Sequence, residues 1–293
     1  MDKVNIIPCG PDRMDELVAF IARMNDDPAQ HVAYFGVGEA DVRSTLAEAV
    51  IPPADGFYLA YENEKLVGIF GVDADPEIGR AWLLGPIIEH DAWQQIADEL
   101  FNTILPVIPA GIREHELFCD AKNVNVRQFA ERHQFPSRGE TAIFSLERDA
   151  YNRHPIPAHI QNFQESYFNS FERLHNELFP NTYYTARQMV EKLDDHHRLF
   201  LATDGDKLLG YHFCKTESES GYVDFIGVDS SARGRGVGVS LLASGLDWMF
   251  AAPTTTRINL TVNAENDSAQ SLYKKFGFVC ERVTIGFRKT LQG

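Results

Sequence analysis

The chain has 293 residues, of which 44% are hydrophobic, 24% charged and 11% aromatic, a composition that excludes disorder as the main state and suggests two domains of about 150 residues each. Its formal net charge of −15 argues against nucleic acid as a partner, because phosphate contacts need clustered Lys and Arg. The longest apolar stretch, Ile104–Ile112, is broken by Pro106 and Pro109 and falls far short of the ~20 residues a membrane span needs, so no membrane association is expected. The opening MDKVNIIPCG has no basic region followed by a long apolar run, which points to a cytoplasmic protein. Cys9, Cys119, Cys214 and Cys280 form no C-x-x-C pair and read as four buried or partly buried thiols. His196 and His197 are adjacent and so do not share a helix face, and no H-E-x-x-H occurs, so no metal site is expected.

In chain order, FYLAYENEKLVGIFGV at Phe57–Val72 reads as a hairpin turning at Glu62-Asn63-Glu64. A strand at Ala81–Ile88, a helix at Ala92–Leu105 and a strand–helix pair in Leu117–Phe135 follow. A boundary is placed near residue 152, before a linker with Pro155 and Pro157. Ile160–Leu178 then carries Phe163, Tyr167, Phe168, Phe171, Leu174 and Leu178 at helical spacing. A second hairpin, LFLATDGDKLLGYHFC at Leu199–Cys214, repeats the first at an offset of 142. A strand at Tyr222–Val228, a helix at Gly236–Phe250 and a strand–helix pair in Leu260–Phe278 close the series, the last at an offset of 143 from Leu117–Phe135. Each half reads as a helical start, a hairpin, a strand, a helix, a strand, a helix and a final strand. The fold class is therefore α/β with mixed sheets, in two tandem domains at 1–150 and 152–293.

Between the strand ending at Val228 and the helix beginning with Leu241 and Leu242 lies Arg233-Gly234-Arg235-Gly236-Val237-Gly238. Glycines at a helix start let backbone approach a ligand, and free amides with the helix dipole favour an anion, so the segment reads as a phosphate or pyrophosphate site. A P-loop would need Gly-Lys-Ser/Thr, but Val239 and Ser240 follow Gly238. A dinucleotide fingerprint starting at Gly234 would need glycine at 239, where valine stands.

The pattern Arg233-x-x-Gly236-x-Gly238 after a strand resembles the acyl-CoA pyrophosphate loop of the GNAT superfamily of N-acetyltransferases. Asn266, Ala269, Leu272, Tyr273, Gly277 and Phe278 match that family's N-x-x-A-x-x-L-Y-x-x-x-G-F helix. The resemblance covers residues 152–293 and implies a splayed pair of parallel strands with acetyl-CoA's pantetheine arm between them. It implies that the backbone of Ile226 and Val228 pairs with pantetheine. The amides of Arg233, Gly234, Arg235, Gly236, Val237 and Gly238, with Val239 and Ser240, would take the pyrophosphate. Asn266 would bond pantetheine or the facing backbone, and Tyr273 would protonate the departing thiolate. Strand alternation places Tyr222, Asp224 and Ile226 on one face. Asp224, with Tyr222 two residues before it, is the candidate base, acting through water, or the anchor for a cationic amine; an exposed strand aspartate is the alternative.

The first half holds 26 acidic against 12 basic residues, the second 16 against 15. In the first half Asn123 takes the place of Asn266 and Phe135 that of Phe278, but Ala130 stands where Tyr273 does and Gln134 where Gly277 does. Its IIEHDAWQQIA segment, Ile87–Ala97, has no glycine and two acids. It therefore resembles a degenerate copy that does not bind CoA, whose acidity would concentrate a cationic acceptor such as a polyamine or aminoglycoside. The expected activity is acetyl transfer from acetyl-CoA to a primary amine on a small molecule, with oligomeric state left open. A non-catalytic acyl-CoA sensor, and an acetyltransferase acting on a protein N-terminus or lysine, are the rivals.

Overall fold

The computed structural model describes residues 4–156, 158–180 and 182–291, so Pro157 of the expected linker lies outside them. The chain divides into two compact units, Met1–Glu140 with Val283–Gly293, and Thr141–Arg282. The boundary expected near 152 is corrected by this division, and the reason lies in the final strand of each half.

The first unit contains β1 (Asn5–Pro8), α1 (Met14–Asn25), α2 (Glu39–Ala47), α3 (Pro53–Gly56), β2 (Phe57–Glu62), β3 (Lys65–Asp75), β4 (Arg80–Ile88), α4 (Trp93–Ile104), β5 (Glu114–Asp120) and α5 (Val124–Arg132). The next strand, β6 (Ser137–Glu147), does not close this unit's sheet. From Thr141 onward it belongs to the second unit, where Thr141–Glu147 pair antiparallel with Asn263–Arg257. The second unit continues with β7 (Ile160–Asn162), α6 (Phe168–Leu178), α7 (Ala186–Glu191), β8 (His197–Asp204), β9 (Lys207–Glu217), β10 (Ser220–Val228), α8 (Val237–Met249), β11 (Arg257–Asn263) and α9 (Asp267–Lys275). The last strand, β12 (Val279–Thr290), returns from Val283 to the first unit, where Thr284–Thr290 pair antiparallel with Asp120–Glu114. Each half thus supplies the strand that completes the other unit, which sequence periodicity does not reveal.

Within the first unit the strand order is β1-β2-β3-β4-β5-β12, and within the second β7-β8-β9-β10-β11-β6. The pairs β4–β5 and β10–β11 run parallel. The hairpins fall where the two repeats place them, turning through left-handed Asn63 and Glu64 in one and Gly205 in the other. Their bulges coincide as well, at Ala60/Tyr61 and Ala202/Thr203. The central strands β3 and β9 are apolar without alternation because helices cover both faces of each sheet. In the first unit α4 turns Trp93, Ile96, Leu100 and Ile104 to one face, at helical spacing, and α1 buries Leu17, Ile21 and Met24 in a separate core. In the second, α6 and α7 cover one face of the sheet around Phe171, Met189 and Tyr211, while α8 packs Val237 and Leu241 elsewhere.

Two local expectations change. Ile160–Asn162 forms an edge strand beside β8, and the helix starts only at Phe168. Cys280 is exposed, whereas Cys9, Cys119 and Cys214 are buried, and burial pushes the Cys9 thiol up to about 11 and Cys119 up to about 12. Among the described residues no group of three His, Cys, Asp or Glu side chains could hold a metal, and no helix is long and apolar enough to cross a membrane.

Candidate active site

The parallel ladder between β10 and β11 joins Ser220–Val223 to Arg257–Leu260 and then stops. Past that point Asp224–Val228 and Thr261–Asn263 line a cavity of about 990 Å3, together with Leu178, Phe179, the glycine turn and one face of α9. A parallel pair that separates in mid-strand leaves backbone groups of both strands without a ladder partner on the inner side, and such groups seek one. A flexible chain carrying amides can lie between them and complete the pairing.

The floor of the cavity is the turn into α8. Gly234 (φ 72°) and Gly236 (φ 80°) both adopt left-handed backbone, and a Cβ on either would meet no protein atom within 4 Å. The space in front of them is therefore kept clear of protein atoms. The first hydrogen bond of α8 runs from the Ser240 amide to the Gly236 carbonyl at 3.0 Å. The amides of Val237, Gly238 and Val239 thus precede the helical ladder, at the positive end of the helix dipole. All three residues line the cavity, as do Arg233, Gly234 and Gly236. Asp229 fixes the approach to the turn by accepting from the Ser231 amide at 2.8 Å, and Arg233 Nε reaches the Val228 carbonyl at 3.3 Å.

Two of the expected anion ligands are placed otherwise. Ser240 is fully buried; its hydroxyl donates to the Gly236 carbonyl at 3.2 Å and accepts from the Ala158 amide at 3.2 Å, so the side chain braces the turn from behind. Arg235 is not among the residues lining the cavity. A helix buries every third or fourth position, which is why Ser240 faces inward.

Ile226, Val228, Asn266 and Tyr273 all line the cavity. Asn266 caps α9, its Oδ1 accepting from the Ala269 amide at 3.1 Å. Tyr273 is only 5% exposed, wedged between Phe144 and Phe278, and burial pushes its hydroxyl up to about 12, so the phenol keeps its proton at neutral pH. Asp224 lies on the cavity wall at a bulge, since the register between β10 and β9 shifts between Val223 and Phe225. Its carboxyl is held above the usual carboxylate range, chiefly by burial, with a hydrogen bond from Tyr183 and the nearby Lys215 opposing. Tyr222 is not itself part of the cavity lining, but its hydroxyl pairs at 3.1 Å with Oγ1 of Thr261, which is. Tyr222, Asp224 and Ile226 alternate with the buried Val223 and Phe225, so the parity expected of the strand persists through the register shift.

Sequence reasoning missed Tyr183 and His175. Tyr183, between α6 and α7, donates to Asp224 Oδ1 at 3.0 Å and packs on the Phe225 ring with centroids 4.9 Å apart. His175 on α6 is buried, pairing with the Tyr211 hydroxyl at 2.6 Å and the Tyr184 carbonyl at 2.9 Å, and burial lowers its pKa so that it stays neutral. No motif marks either residue; only the aromatic run Phe179 to Tyr184 hints at a packed loop.

A family model described as Acetyltransferase (GNAT) family matches residues 160–278. Mycothiol acetyltransferase of Clavibacter michiganensis subsp. michiganensis is 36% identical over 103 residues, 35% of this chain and 33% of that protein. Mycothiol acetyltransferase of Gordonia bronchialis is 38% identical over 110 residues, 35% of each chain. The similarity thus spans about a third of the length of these curated relatives. The crystal structure of a GCN5-related N-acetyltransferase from Sphaerobacter thermophilus covers 100% of this chain and 97% of its own at a TM-score of 0.64, with 14% identity, a likeness of fold. Residues 160–278 are thus similar to the GNAT acetyltransferase family in sequence, and the whole chain is similar to a GCN5-related N-acetyltransferase in fold.

Proposed function

We propose that the protein transfers an acetyl group from acetyl-CoA to a primary amine on a small molecule, and that the site is the forked cavity of the second unit. The observation that carries this reading is the fork itself: two parallel strands separating at Val223 and Leu260 and ending on a helix start with its leading amides unpaired. A pantetheine arm fits the strand edges and a pyrophosphate fits the amides of Val237–Val239. Both relatives named above are acetyltransferases, which supports acetyl as the group moved.

Bound acetyl-CoA supplies a thioester whose carbonyl carbon is the electrophile. Asp224 receives a proton from the acceptor's ammonium, which frees the nitrogen lone pair to form the C–N bond. As the C–S bond breaks its electron pair stays on sulfur, and the Tyr273 hydroxyl, protonated at neutral pH, donates to it. The second proton shed by the nitrogen restores Tyr273, so the sum is amide, thiol and one proton released from Asp224 to solvent. Leu178, Phe179 and Phe225 form the apolar wall beside Asp224.

In the same reading the first unit holds no acyl-CoA. Its parallel pair β4–β5 also stops early, at Trp82 and Glu116. The edge of β5 beyond that point is taken by the chain itself: the Ala33 amide donates to the Phe118 carbonyl at 2.8 Å and the Asp120 amide to the His31 carbonyl at 3.1 Å. Asn123, at the position of Asn266, donates to the same His31 carbonyl at 3.3 Å. Calorimetric titration of acetyl-CoA into the full chain tests both parts. One site per chain is expected; two sites overturn the silent first unit, and none overturns the acetyl-CoA reading.

A further inference from the structure

We propose that Tyr183 is a positioning residue that ties Asp224 Oδ1 and so presents Asp224 Oδ2, buried and unpartnered, as the receptor for the acceptor's ammonium group. The inference rests on the amine-acetylation reading and names the geometry by which the acceptor is held. Asp224 lines the cavity; the Tyr183 hydroxyl donates to its Oδ1 at 3.0 Å, whereas its Oδ2 is buried with no hydrogen-bond partner. A buried carboxylate oxygen left unpaired is costly, and a donor with positive charge relieves that cost best.

The groups around Asp224 do not supply this donor. Lys215 on β9 is engaged by Glu217, His197 on β8 is engaged by Asp194 at 2.9 Å, and Cys214 on β9 is fully buried with its thiol pushed up. Tyr222 on β10 is turned to Thr261. Apolar and aromatic walls, Leu178, Phe179 and Phe225, leave a compact ammonium head as the fitting occupant, with N–H donors for Oδ2 and a hydrocarbon body for the walls.

The position of Tyr183 is itself determined. His175 grips the Tyr184 carbonyl while its other ring nitrogen meets the Tyr211 hydroxyl, and the Tyr183 ring lies on Phe225, the neighbour of Asp224. The hydroxyl is thereby delivered to one carboxylate oxygen and not the other.

The test is a carbon-13 titration of the Asp224 carboxyl in the full-length protein, in wild type, Tyr183→Phe and Tyr184→Phe. A hydrogen bond to the ionised form favours it, so its removal in Tyr183→Phe should raise the midpoint by about one pH unit. Tyr184→Phe should leave it in place. Methylammonium chloride should lower the wild-type midpoint, and tetramethylammonium chloride at equal ionic strength should not, because it has charge without N–H donors. An unmoved midpoint in Tyr183→Phe, or equal effects of the two cations, overturns the proposal. Acetyl-CoA titration into the same proteins separates the two readings: unchanged binding in Tyr183→Phe is expected, and absent binding in wild type defeats the acetyl-CoA reading while the carboxyl titration still judges the Tyr183–Asp224 pair.

Discussion

The two forks of this protein begin alike and end differently. In both units a parallel pair stops after a few residues, and an asparagine caps the helix that follows the second strand, Asn123 in one and Asn266 in the other. In the first unit the chain fills its own gap with His31–Ala33, held by Asn25, whose side chain donates to the Phe35 carbonyl at 3.0 Å and accepts from the Val32 amide at 2.7 Å. In the second the gap is a cavity ending on Gly236. A strand edge without a partner costs free energy, so a fork persists only if something occupies it. The first unit uses its own backbone, and in the proposed function the second leaves the place to acetyl-CoA.

The largest effect is expected from cutting the chain where sequence repeats suggest. A fragment of residues 152–293 lacks Thr141–Glu147, the antiparallel partner of all seven residues of β11, and should show no cooperative thermal transition by circular dichroism. A fragment of residues 141–282 retains that strand and should melt cooperatively; the reverse result would break the strand assignment.

Next is the glycine turn. Gly236→Glu forces a side chain into left-handed backbone, at about 1–2 kcal/mol, and sets a negative charge at the helix start. Acetyl-CoA affinity should fall at least about 100-fold by calorimetry, since charge repulsion adds to that strain; a loss under threefold would place the ligand elsewhere.

Tyr273→Phe should lower kcat by about 10- to 100-fold while acetyl-CoA binding stays intact, because a positioned general acid contributes on that scale. Intact turnover would remove Tyr273 from the chemistry, and intact binding with lost turnover would exclude the sensor reading.

Asn25→Ala removes both clasps on the first fork and leaves buried backbone groups unpaired, which should destabilise the protein by about 2–4 kcal/mol in urea titration. The acetyl-CoA stoichiometry should remain one, since the segment Ile87–Ala97 still lacks glycines.

The smallest effect concerns pH. Burial raises the Asp224 pKa above its unfolded value, so this carboxyl favours the fold at low pH and loses that contribution as pH rises through the raised pKa. Asp224→Asn should therefore melt slightly higher relative to wild type at pH 8 than at pH 3. For the proposed reaction, kcat/KM of the wild-type protein should rise with pH through the same raised value, because the ionised form receives the proton. An equal melting difference at both pH values would mean Asp224 is not desolvated.

Much of this was legible along the chain. Hairpins at Phe57 and Leu199, the strand into Arg233–Gly238 and the helix begun by Asn266 depend on neighbours within about twenty residues. Turn glycines, caps and apolar periodicity record such local geometry directly. Three things lay beyond that reach, each for want of a local signal. The exchange of β6 and β12 matches strands over 100 residues apart, and strand patterning states which face is apolar but not which strand lies alongside. Ser240 was selected for its place in the motif, but helix packing turned its hydroxyl inward. Tyr183 meets Asp224 across 41 positions, through a loop whose course depends on the buried His175. The sequence by itself determined the repeat, the glycine turn and the resemblance to GNAT acetyltransferases. Tertiary structure alone decided which strands complete each sheet, which fork stays open and which oxygen of Asp224 is free, because each depends on partners the chain brings together only by folding.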